Sequence, residues 1–167
     1  KGTPIGKRSY AIIFIAFRLG MRASDIVGLK FENIDWNNDL IRYNQIKTGK
    51  YQELPLFADV GNAILNYVKN GRPKSNEDYV FISHNVPFRA LSSSIVTTEV
   101  QNHFRKAGID VSKRSHGAHA LRHSLAYHML MEKTGIHVIS SVLGHQGSNS
   151  SMYYLRIDLA SLRHCVI

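Results

Sequence analysis

Residues 119–130 read HALRHSLAYHML, and their pattern predicts a helix running from Ala118 to Glu132. His119 and Arg122 stand three apart and His123 lies four beyond His119, so three basic side chains share one face. Leu121 and Leu125 fall on another face, available for a core. The two histidines have the separation of a zinc-binding helix. The metalloprotease pattern, however, requires a glutamate directly after the first histidine, and Ala120 stands there with no cysteine pair nearby. Taken alone, the stretch fits an ordinary solvated helix face, so its neighbours must decide.

Toward the N-terminus, YAIIFIAF (10–17) is apolar over a helical length, and Gly20 is a natural stop. In LGMRASD (19–25), Arg22 lies between that helix and a second one running to about Leu29, with Ser24 and Asp25 as cap and first turn. A guanidinium between apolar segments is partly buried and needs an anionic partner. Asp25 is placed to be that partner, or to orient Arg22 toward a ligand. DLIRYNQI (39–46) and YQELPL (51–56) read as two strands joined by KTGK, with Lys47 at the hairpin tip. A helix at about 59–69, the polar linker NGRPKSNED, a short strand DYVFIS (78–83), a helix at 93–107 and the loop KAGIDVSKRSHG lead back to Ala118.

Toward the C-terminus, helices are expected at 134–143, 148–155 and 158–165. Between the first two lies LGHQGSNSSMYYLRI (143–157). His145 follows Gly144 at a helix end, where a cation meets the negative end of the dipole. Tyr153 and Tyr154 are about 100° apart on a helix and cannot both face one pocket. The fold class that emerges is α+β, mainly helical, with a small antiparallel sheet near the N-terminal half.

The chain has 167 residues, 44% of them apolar, enough for one domain with a real core. Its 21 Lys and Arg against 12 Asp and Glu leave a net charge of +9. That balance favours polyanionic partners, because each cation placed near a phosphate releases a condensed counterion. No apolar run approaches a membrane span. The single cysteine, Cys165, excludes an internal disulfide and fits a cytoplasmic setting.

The order of these elements is more specific than any one of them. G-x-R-x-x-D, a K-T-G hairpin, H-x-x-R-H, L-G-H and a tyrosine nine residues after that histidine together resemble the catalytic domain of tyrosine recombinases, the phage-integrase family. The resemblance runs from about Arg8 to Tyr154. It implies a site-specific DNA recombinase that forms a covalent protein–DNA intermediate without metal or cofactor. The catalytic residues it implies are Arg22, Lys47, His119, Arg122, His145 and the nucleophile Tyr154, with Asp25 in support and Tyr153 as a packing neighbour. It implies double-stranded DNA and further recombinase protomers as partners, the latter through the tail 155–167. It also implies that residues 1–167 form a single catalytic domain, without the core-binding domain that usually precedes it, and hence weak DNA affinity in isolation. A type IB topoisomerase-like nicking and closing enzyme shares this chemistry, and a non-catalytic DNA-binding module could share the fold. His116, in a Ser-His-Gly loop, and His123 acquire no assigned role.

Overall fold

The computed structural model describes residues 2–109 and 117–144. Helix α1 spans Pro4–Leu19 and starts earlier than its apolar run suggests. The Thr3 side chain accepts the Gly6 N–H at 3.1 Å, and Pro4 takes the first helical position, where its missing N–H costs nothing. Gly20 ends the helix in the left-handed region at φ 60°, and a Cβ there would stand 2.9 Å from both Leu125 and Leu143. Ala11, Ile12, Ile15, Ala16 and Leu19 bury the inner stripe of α1, which packs on the helices that follow.

Helix α2 is short, Ala23–Val27, and begins at Arg22 without a side-chain cap. Ser24 therefore does not cap it as expected. Asp25 does stand in the first turn, and its carboxyl turns inward to a backbone donor across the fold. A 3₁₀ turn, Phe31–Asn33, leads into β1 (Ile34–Asp35), β2 (Leu40–Asn44) and β3 (Tyr51–Pro55), an antiparallel sheet in that order. Ile34 faces Ile41, and Leu40 to Asn44 pair with Pro55 to Tyr51. The two-residue β1 was not evident in the sequence, being too short to alternate. On β3, Gln52 and Leu54 are buried while Tyr51, Glu53 and Pro55 face out.

Helix α3 covers Ala58–Asn70, α4 Ser93–Lys106, α5 Ala118–Met131 and α6 Ile136–Leu143. The expected strand at 78–83 is not one. Only isolated bridges form there, Lys30 with Tyr79 and Ile82 with Ala90. The segment is nevertheless core, with Val80, Phe81 and Ile82 fully buried. Arginine side chains do what a ladder would do: Arg72 Nη2 donates to the carbonyls of Glu77 and Tyr79, and Arg8 Nη1 to that of Ile82 at 3.0 Å. A main core gathers α1 to α5 and the sheet, and Ala126, Ile139 and Leu143 form a second cluster between α5 and α6. Among the described residues no helix is long and apolar enough to cross a membrane. The helices expected at 148–155 and 158–165, the tail 155–167, and His116, His145, Tyr153 and Tyr154 lie outside the described residues.

Candidate active site

Arg122 is 5% exposed, so it does not lie on the solvated face that H-x-x-R alone would suggest. Its Nη1 donates to the Gly20 carbonyl at 2.6 Å and its Nη2 to that of Leu143. Both carbonyls belong to helix C-termini, which leave their last acceptors without intrahelical partners. One guanidinium thus joins the ends of α1 and α6, as its fork of fixed donors allows. Arg22, half-buried, completes the junction: Nη2 donates to the Gly144 carbonyl at 3.0 Å, and Nη1 lies 3.9 Å from Asp25 Oδ2.

Asp25 ties this junction to the hairpin. Its Oδ1 accepts the N–H of Ile46, the residue before Lys47, at 2.9 Å. Burial pushes the carboxyl up from its ordinary range, against the opposing pull of the Ile46 N–H and of Arg22 and Arg122. The carboxylate that partners Arg22 therefore also holds the start of the turn that carries Lys47.

An open cleft of about 430 Å³ lies over these groups, and Arg22, Lys47, His119 and Arg122 all border it. Ser93 and Thr97 of α4 also line it, with no carboxylate among the described lining residues. The cleft is thus suited to an anion that needs several donors at once. His119 stacks on His123 with ring centroids 5.4 Å apart. Burial lowers the affinity of His119 for a proton below the ordinary 6.5, and the charges of His123, Arg122, Arg22 and Lys47 lower it further. A neutral imidazole at neutral pH can take a proton. Among the described residues no group of three or more His, Cys, Asp or Glu side chains could hold a metal.

Tyr43, on β2, senses the same arginines but is ill-suited to attack. Burial, and then the Asp25 charge, push its phenol well above the ordinary 10. Four of the seven residues picked from sequence thus meet on one cleft, with Asp25 behind them, while His145 and Tyr154 lie outside the described residues. Sequence reasoning missed Ser93 and Thr97 in its lining. It also missed two buried glutamines, Gln45 and Gln52, under the hairpin turn. One signal for Gln52 was available: in YQELPL it takes the inward register of Leu54.

Scaffold and cleft together define a mainly helical α+β domain with an anion-receptive arginine site. Residues 1–160 match the phage integrase family, and the chain belongs to that family. The y4rA protein of Sinorhizobium fredii is 38% identical over 164 residues, which cover 98% of this chain and 39% of the relative. The y4gC protein of the same organism is 33% identical, over 96% of this chain and 82% of the relative. A solved structure of the XerH site-specific recombinase, bound to a palindromic difH substrate in a post-cleavage complex, has the same fold. It superposes with a TM-score of 0.80 at 24% identity, over 99% of this chain and 46% of that one. The chain thus spans less than half the length of y4rA and of the XerH chain.

Proposed function

We propose that this chain is the catalytic domain of a site-specific DNA recombinase that breaks and rejoins DNA through Tyr154. The observation that carries the reading is the convergence of Arg22, Arg122, His119 and Lys47 on one cleft with no carboxylate among its described lining residues, in a chain of this family. A phosphodiester is anionic and repels a nucleophile, and charge grows on its non-bridging oxygens as attack proceeds. Arg22 and Arg122 stay protonated at any working pH and can meet that charge with paired N–H donors. His145 adds a donor. The Tyr154 oxygen bonds to phosphorus while its proton passes to His119, directly or by relay. The bond from phosphorus to the 5′-oxygen breaks, and Lys47 supplies the proton that oxygen needs. The products are a 3′-phosphotyrosyl link and a free 5′-hydroxyl. A second 5′-hydroxyl can reverse the step without ATP, since the phosphodiester energy is conserved in the link. Double-stranded DNA and further protomers, the latter meeting the segment 155–167, are the partners in this reading, and the setting is cytoplasmic.

The direct test incubates the full chain with a randomised pool of nicked duplexes, which trap the covalent species, and looks for a shifted band on a denaturing gel. A labelled protein–DNA adduct is expected, and its absence across the pool sinks the reading. EDTA should leave adduct formation unchanged, because guanidiniums supply the positive charge that a metal-dependent nuclease takes from its ions. Loss of the adduct on chelation would assign the cleft a different chemistry.

The proton affinity of His119 sets the pH dependence. Its affinity in the fold is lowered, so the neutral acceptor survives as pH falls through 6.5 and is lost only below that point. The acid limb of single-turnover cleavage is therefore expected below pH 6.5, and His119→Gln should remove it. A limb at or above the ordinary histidine value would exclude His119 as the acceptor.

A further inference from the structure

We propose that Gln45 and Gln52 are positioning residues for strand cleavage, setting the Lys47 turn against the carbonyl shelf held by Arg22 and Arg122. The inference rests on the recombinase reading above and adds residues that its chemistry does not touch.

Gln45 is 1% exposed and Gln52 7%, in a hairpin whose other fully buried side chains, Ile41 and Leu54, are apolar. Burying two primary amides costs free energy unless their polar atoms are matched. Here they are matched in a single direction. The Thr48 hydroxyl donates to Gln45 Oε1 at 2.7 Å, Gln45 Nε2 to Gln52 Oε1 at 3.2 Å, and Gln52 Nε2 to the Ser141 carbonyl at 2.9 Å. Each bond dictates the orientation of the next amide, so neither side chain can flip without losing partners.

Both ends of this strut meet the cleft machinery. At one end the Gln45 backbone closes the turn: its carbonyl accepts the N–H groups of Gly49 and Thr48, and its N–H donates to Lys50. Lys47 rides on that turn. At the other end Gln52 also reaches the Val142 carbonyl at 3.4 Å. The carbonyls of residues 141 to 144 are thus taken in sequence, the first two by Gln52, the third by Arg122 and the fourth by Arg22. The strut also backs directly onto Gly144. A Cβ there would collide with Gln45 Nε2 and lie 2.7 Å from Gln52 Oε1, in a residue whose φ of +57° already favours glycine. Because the arginines hold the shelf independently, the job left to the glutamines is the placement of the turn.

That division of labour separates positioning from mere stability. Lys47 serves only the departing oxygen, and a 5′-bridging sulfur leaves as a thiolate with no need of that proton, its thiol having a pKa of about 8.5. Single-turnover cleavage by the full chain is measured on nicked duplexes bridged by oxygen or by sulfur. Gln45→Met and Gln52→Met are expected to slow the oxygen substrate by about tenfold or more, as lost general-acid catalysis does. The sulfur substrate should recover to within about threefold of the parent, as for Lys47→Ala. The double variant Gln45→Met with Lys47→Ala should be no slower than Lys47→Ala alone. Equal losses on both substrates, or parental rates on both, overturn the proposal. Should either methionine variant fail to fold by circular dichroism, Thr48→Val, which removes only the hydroxyl anchor, must give the same split. A parent chain that forms no adduct with either substrate defeats the recombinase reading itself, and this inference with it.

Discussion

Tyr154→Phe is expected to abolish the covalent protein–DNA adduct, whereas Tyr153→Phe should retain most of it. The reason is stoichiometric: in the proposed mechanism the bond to phosphorus is made by the phenolic oxygen of Tyr154, and phenylalanine has none. On the helix expected from the sequence at 148–155, adjacent positions diverge by about 100°, so one tyrosine facing a pocket turns its neighbour away from it. Tyr43 is no substitute, because burial and the Asp25 charge hold its proton more tightly than in a free phenol. The assay is the denaturing-gel adduct from nicked duplexes. An adduct lost in Tyr153→Phe and kept in Tyr154→Phe would shift the nucleophile by one residue, and an adduct kept in both would end the tyrosine mechanism.

Arg122→Ala should be the most damaging substitution among the described residues, because two losses coincide. Removing a preorganised charged donor from a developing oxyanion costs about 10²–10³ in rate, and single-turnover cleavage should fall by at least that. The same change strands the carbonyls of Gly20 and Leu143 at a buried junction. Each stranded acceptor costs about 1–3 kcal/mol, so a clear fall in thermal stability is expected as well. Arg122→Lys keeps a charge but not the fork, and cannot hold both carbonyls in one geometry. Arg22→Ala separates the two effects. Arg22 is half-buried and donates to one carbonyl, so its loss should match Arg122→Ala in cleavage while the melting temperature falls less. Folded Arg122→Ala protein that cleaves at the parental rate would remove this residue from the chemistry.

Much of the scaffold was legible because it is written in neighbouring residues. Helices α3 to α6 lie within about two residues of their expected bounds, since a 3.6-residue period and a stop glycine are local signals. The β2–β3 hairpin was legible for the same reason. The segment 78–83 misled because burial on all sides looks like a strand, while its carbonyls are met by arginines from α1 and the 70s loop. Ser24 misled because a serine ahead of an acid reads as a cap, whereas the helix starts at Arg22 with no side-chain cap, and the N–H that Asp25 accepts lies 21 positions away in the hairpin.

The sequence by itself determined the family, through the order of two arginines, a hairpin lysine, two histidines and Tyr154. Residue type and spacing are covalent facts, so they are readable before any folding is considered. What the tertiary structure alone decided is how those groups are held. Arg122 meets its Gly20 partner 102 positions away, and Gln52 meets Ser141 at a separation of 89. Hydrogen bonds to carbonyls leave no trace in local patterning, because every residue offers the same acceptor and only folding selects which ones a buried side chain reaches.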